Sequence, residues 1–123
     1  MKRSIEDTPI VFLGAGNLAT NLAKALYRKG FRIVQVYSRT EESARTLADE
    51  VEAEYITDLK EVSKEARLYI ISLKDAAFVE LLPQITEGKQ HALLVHTAGS
   101  IPMNIWEGYA ERYGVFYPMQ TFS

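Results

Sequence analysis

The chain has no cysteine and only two histidines in 123 residues. The first absence removes disulfides and thiolate metal sites, and it suits a reducing cytoplasm, which is the expected location. Long apolar runs are missing too. No stretch approaches the length needed to cross a bilayer, so no membrane partner is expected. Met1-Lys2-Arg3 is basic, but no apolar segment follows, and it does not read as a signal peptide. A net charge of −2 gives no electrostatic ground for a nucleic-acid partner. There is no His-Glu-x-x-His, no Asp-rich loop and no nucleophile elbow. His91 and His96 fall at opposite ends of one apolar segment, so no metal site is expected. Internal repeats, low-complexity tracts and linkers are also lacking. What is left is an ordinary soluble composition, 47% apolar and 24% charged, with room for one domain and one core. Residues 1–8 read as a polar lead-in and residues 9–123 as the domain.

The most informative stretch is Ile10-Val-Phe-Leu13, which runs into Gly14-Ala15-Gly16-Asn17-Leu18-Ala19. An apolar strand, a Gly-x-Gly-x-x-Ala turn and a helical pattern in succession form the context in which this fingerprint means dinucleotide binding. Gly14 lets the backbone turn sharply. Gly16 lets it approach a pyrophosphate with no Cβ in the way, and Ala19 lets the helix lie close to the strand. The amides opening the helix then face the phosphate with the favourable end of the helix dipole. The competing reading is a tight turn with a structural role only.

Strand and helix signals alternate from Pro9 onward. Strands are predicted over Pro9–Leu13, Arg32–Tyr37, Glu54–Thr57, Leu68–Ser72, Ala92–His96 and Val115–Tyr117. The Leu68 segment is the most apolar and so belongs near the centre. The first helix, from Asn17 to about Lys29, places Leu18, Leu22 and Leu26 on one stripe, with Gly30 ending it at positive φ. The second, capped by Ser38 or Thr40, runs to about Val51 with Ala44, Leu47, Ala48 and Val51 inward. A short helix follows Asp58. Another opens near Asp75, read as its cap, and is ended or bent by Pro83. A fifth, from Pro102, shows one face to Ile105, Tyr109 and Tyr113, and Gly114 closes it. Six strands alternating with five helices predict an α/β, doubly wound, mostly parallel Rossmann sheet in the order 3-2-1-4-5-6. Ligands in such a sheet bind beyond the carboxyl ends of the strands, near the switch between strands one and four.

An acid about 20 positions after the glycines normally holds the ribose hydroxyl of NAD. Here that place reads Tyr37-Ser38-Arg39-Thr40. Arg39 supplies fixed positive charge and a planar fork suited to phosphate, and Ser38 and Thr40 add hydroxyl donors. The expected cofactor is therefore NADP. A surface arginine, with Ser38 and Thr40 only capping a helix, is the plainer alternative, and Glu41 and Glu42 weigh mildly against phosphate. The ends of strands four and five should frame the nicotinamide half with Ser72-Leu73-Lys74 and His96-Thr97-Ala98-Gly99-Ser100. Lys74 either contacts phosphate or substrate or is simply solvated. His96 has a natural catalytic pKa near the cleft, although a histidine ending an apolar strand is more often structural. Trp106, Tyr109 and Tyr113 read as packing rather than a stacking platform.

Together with Tyr117-Pro-Met-Gln-Thr-Phe122, these motifs resemble the N-terminal Rossmann-like domain of NADP oxidoreductases near the pyrroline-5-carboxylate reductases and deazaflavin-dependent NADP reductases. The resemblance runs from Pro9 to Ser123. It implies that residues 14–19 cradle the pyrophosphate and residues 38–40 bind the 2′-phosphate. Tyr117 stands where such sequences often have histidine, so no role of that imidazole is carried over. Family members continue into a helical domain that closes the substrate side and usually dimerises. The resemblance thus implies that this chain is a fragment, catalytically incomplete alone, with a homodimer expected for a longer form.

The reaction implied for the complete protein is hydride transfer between NADPH and a small carbonyl or imine substrate, and no catalytic residue is assigned. A non-catalytic NADP-sensing module needs the same fingerprint and no substrate domain. A methyltransferase using S-adenosylmethionine shares the glycine-rich turn but usually wants an acid where Ser38-Arg39 stands.

Overall fold

The computed structural model describes residues 8–97 and 101–116. The six strands are β1 (Pro9–Leu13), β2 (Arg32–Tyr37), β3 (Glu54–Ile56), β4 (Leu68–Ile71), β5 (Leu93–Thr97) and β6 (Arg112–Phe116). Three helices join them, α1 (Asn17–Arg28), α2 (Glu41–Val51) and α3 (Asp75–Thr86). All strand pairs are parallel and the order is β3-β2-β1-β4-β5-β6, as the alternation of signals predicts. β1 and β4 form the middle pair. Most of the expected lead-in, Ala98-Gly99-Ser100, and Tyr117 onward lie outside the described residues.

A sheet buried on both faces needs side chains of period two pointing into two separate cores. Ile10, Phe12 and Ile70 pack with Ala19, Ala23, Leu47, Ala48 and Val51 under α1 and α2. Val11, Leu13, Tyr69 and Ile71 pack with Phe78, Leu82, Ile85 and Trp106 on the opposite face. β2 departs from strict alternation. Its register against β1 slips between Ile10 and Val11, which face Ile33 and Gln35 and leave Val34 extra. A bulge of this kind resets the side-chain phase. Ile33 and Val36 therefore both serve the α1–α2 core despite their odd spacing. Gln35 then ties down the crossover from β3 to β4. It accepts from the Ser63 N–H at 2.7 Å and donates to the Glu61 carbonyl at 3.1 Å.

Several local expectations change. α1 buries Ala19 and Ala23 and packs the half-buried Leu22 and Leu26 against the same core, while Leu18, equally half-buried, lies outside it. Small residues on the inner line let the helix sit closer than a leucine stripe would. Gly30, at φ +96°, ends α1 as expected, with its N–H on the Tyr27 carbonyl and the Phe31 N–H on that of Leu26. Pro83 does not end α3, which continues to Thr86. The Thr86 hydroxyl donates to the Leu82 carbonyl at 3.0 Å and reaches that of Pro83, supplying donors in the last turn. Asp75 is the first residue of α3 rather than its cap, a place taken by Lys74. Thr40 caps α2 by position, without a side-chain bond. The helix after Asp58 is a single 3-10 turn, Leu59–Glu61.

The helix expected after Pro102 is also only a 3-10 turn, Met103–Trp106. Gly108 at φ +84° turns the chain out of helical geometry, and burial of Trp106 draws the turn onto the sheet. Tyr113 and Gly114 belong to β6, opposite Leu94 and Val95. Their helical spacing was coincidental, because Ile105 and Tyr113 pack on the same core from different elements.

Candidate functional site at the carboxyl ends of the central strands

The carboxyl ends of β1, β2 and β4 meet at Gly14. Its N–H donates to the Tyr37 carbonyl, and the Ser72 N–H donates to the Leu13 carbonyl, both at 2.7 Å. Gly14 has φ +117°, and a Cβ there would collide with the Ser72 backbone, 2.8 Å from its carbonyl carbon. Only glycine meets both demands. Two residues later the situation reverses. Gly16 has an ordinary φ of −77°, and a Cβ built on it would find nothing within 4 Å. The fold does not need glycine there, so its missing side chain faces open space at the start of α1.

α1 begins without a capping side chain and without an acid in its first turn. The α2 and α3 first turns carry Glu41 and Glu42, and Asp75, respectively. The first turn of α1 thus supplies no carboxylate of its own to offset the positive end of its dipole. Thr20, in the first turn of α1, ties the helix to the glycine loop, its N–H on the Gly16 carbonyl at 2.8 Å and its hydroxyl toward that of Ala15. Ala19 is fully buried.

Ser38 is half-buried, and Arg39 and Thr40 are exposed at the end of β2. The Ser38 N–H donates to the Ile56 carbonyl, fixing this corner against β3. Burial pushes the Tyr37 hydroxyl above its ordinary pKa; the nearby Arg39 charge pulls it down and Asp58 adds to the rise. Among the described residues, the ion pair found is Lys24–Glu50 at 3.0 Å, which joins α1 to α2 and leaves Arg39 out. Glu41 accepts instead from the Tyr55 hydroxyl at 3.2 Å. A groove of about 250 Å³ runs between α1 and α2 along Ala15, Thr20, Glu42, Ser43 and Thr46. Its two acids, Glu42 and Glu50, make it a poor phosphate seat.

At the other side, Ser72 and Leu73 are half-buried and Lys74 is exposed. Thr97, expected in the stretch that frames the nicotinamide half, lies with its hydroxyl 3.4 Å from that of Ser72. Strand pairing of β4 with β5 could have suggested this contact. His96 is removed from the candidates. It is 2% exposed and packed against the tilted rings of Phe78 and Trp106, with centroids 5.0 and 5.8 Å away. The Trp106 indole N–H donates to Nδ1 at 2.9 Å, so Nε2 carries the proton given to the Ile101 carbonyl at 3.0 Å. Both nitrogens are used inside the fold, and the structural reading of this histidine holds. His91 likewise bonds the Ala66 carbonyl, far from the site. Among the described residues no group of His, Asp or Glu could hold a metal, and no helix is long and apolar enough to cross a membrane.

The model of the family described as "NADP oxidoreductase coenzyme F420-dependent" matches residues 9–99. A crystal structure from Bacteroides fragilis, provisionally assigned as an NADP oxidoreductase, is 78% identical with a TM-score of 0.92. The match covers 97% of this chain and 47% of that one. Prephenate dehydrogenase from A. aeolicus, solved with NAD+, shares the fold at 20% identity and TM-score 0.75, over 91% of this chain and 42% of its own. Glutamyl-tRNA reductase of Methanococcoides burtonii is 27% identical over 96 residues, 74% of this chain and 23% of that protein. The chain therefore spans less than half the length of these relatives.

Proposed function

This chain belongs to the family of coenzyme F420-dependent NADP oxidoreductases, and on that premise we propose that it is the NADP(H)-binding part of an enzyme that moves hydride between NADPH and a small carbonyl or imine. The residues fit the cofactor. Gly14, Ala15, Gly16, Asn17, Leu18 and Ala19 would hold the pyrophosphate against the α1 amides. Ser38, Arg39 and Thr40 would take the 2′-phosphate. Ser72, Leu73 and Lys74 would border the nicotinamide half. When bound, the dinucleotide supplies the hydride. The protein's own residues orient it, and Thr97 and Ser72 keep the ends of β4 and β5 together. The observation that carries the reading is an open Gly16 at the start of a helix whose first turn holds no acid, together with an exposed arginine at the end of β2.

Fluorescence titration with both cofactors tests it. NADPH should bind at least about tenfold more tightly than NADH, a difference of about 1.4 kcal/mol. Equal affinities, or a preference for NADH, would refute the assignment. The family's description names coenzyme F420, and turnover assays of the full-length protein with that coenzyme, imines and carbonyls separate the substrate classes. A second reading, an NADP-binding module without turnover, is favoured by one observation. The His96 ring has no nitrogen left for proton transfer. Absence of turnover despite tight NADPH binding would select that reading.

A further inference from the structure

Cofactor selectivity in this corner depends on more than the cation. Glu41 stands two residues after Arg39, in the first turn of α2. A carboxylate there has two harmful options. It can pair with the guanidinium, or it can face the phosphate and repel it. The structure shows a third arrangement, with the Glu41 carboxylate accepting from the Tyr55 hydroxyl at 3.2 Å. Tyr55 lies on β3, opposite Val36 of β2, on the strand that forms the outer edge of the sheet. The bond therefore draws the carboxylate outward, away from the β1–β2 crevice and Gly16. Arg39, outside the ion pair found among the described residues, lies close enough to Tyr37 for its charge to act on that hydroxyl. Glu42 lines the groove beside Ala15 and contributes the same background whatever Tyr55 does.

We infer that Tyr55 is a positioning residue for cofactor selectivity: its hydroxyl tethers Glu41 at the outer edge of the sheet and keeps the Arg39 guanidinium open to a 2′-phosphate. The tether rests on the reading of Arg39 given above. Tyr55 does not touch the cofactor. It acts through Glu41, so its loss should be felt by NADPH and not by NADH.

Four variants of the full chain, titrated with NADPH and NADH at low and high salt, test this. Tyr55→Phe removes the hydroxyl alone and should weaken NADPH binding roughly 1.5- to 5-fold, the range of an exposed charge interaction, while NADH is unchanged. The loss should fade at high salt, because released Glu41 acts through solvent-screened charge. Glu41→Gln alone should alter either affinity little, since its carboxylate is already held away. In the Glu41→Gln background, Tyr55→Phe should have no effect. An unchanged NADPH affinity in Tyr55→Phe, equal losses for both cofactors, or a loss that persists without the Glu41 charge each overturns the inference. Arg39→Ala is the control for the underlying reading. If it leaves NADPH binding intact, the assignment of Arg39 fails; if it weakens NADPH while Tyr55→Phe does not, only the tether fails.

Discussion

Two glycines two positions apart do different work, and substitutions should separate them. Gly14→Ala meets both a positive φ and the Ser72 backbone, so a loss of about 3 kcal/mol is expected, readable as a large fall in Tm. A Cβ at position 16 meets no protein atom within 4 Å, so the Gly16→Val domain should stay folded and lose about 1 kcal/mol at most through a poorer helix start. Cofactor binding should nevertheless vanish. A folded Gly16→Val variant with undiminished affinity would reduce the fingerprint to a turn. Arg39→Ala should cost NADPH about ten- to a hundredfold, the worth of a charge-assisted hydrogen bond, and leave NADH nearly untouched. Adenine stacking alone would instead weaken both cofactors equally, with little dependence on salt. As candidates these residues are legible in the sequence because the glycine spacing and the missing acid are local signals. Tyr55 is not, because it acts through Glu41 of α2, 14 residues away, which only the packing of β3 and α2 brings near.

The helix that opens at the site is seated by small side chains. Ala23 is fully buried in the core beneath α1, one turn beyond Ala19. Ala23→Leu should overpack that seat and cost about 1–3 kcal/mol, measurable by denaturant unfolding. It should also weaken NADPH binding, since α1 cannot tilt without moving its first amides. Stability lost with affinity retained would mean that the loop, not the helix, sets the site. Helix faces and strand phases were readable where apolar period and caps agreed, as in α2, whose predicted inward residues are all buried. They failed where tertiary contact decides. The Tyr109–Tyr113 spacing looks helical, but a buried indole bonded to His96 and pairing with β5 claim the segment. The slip in β2 left no mark in its sequence, since Val34 and Gln35 satisfy a plain strand equally well.

For the whole molecule, the order of strands followed from alternating elements and the right-handed crossover preference, neither of which needs detailed packing. Its alkaline limit follows from the core below the site. Burial pushes the Tyr69 hydroxyl up to about 12 while it donates to the Ser63 carbonyl. The folded state disfavours the phenolate, so this contribution is full below pH 10 and is lost as pH rises toward 12. Lys89 works in the opposite sense. Burial lowers its pKa, the unfolded chain holds that proton longer, and stability climbs with pH up to about 10.5 before the tyrosine loss takes over. Melting curves between pH 8 and 12 should fall steeply above 10.5, and Tyr69→Phe should flatten the fall. An unchanged alkaline limb in that variant would assign the loss elsewhere.

The contact between Gly14 and Ser72 joins residues far apart in sequence, and it has a consequence for the order of folding. The chain lays down β1, β2 and β3 on one side before β4 returns to the other flank of β1. Until β4 docks, the Leu13 carbonyl has no Ser72 amide to receive, and the glycine turn has no wall to set its shape. A nascent β1–α1–β2 unit thus carries the whole fingerprint and still cannot present it. Recovery of NADPH fluorescence during refolding should therefore lag the return of helical circular dichroism, because the nucleotide registers closure of the sheet's centre rather than the formation of its parts.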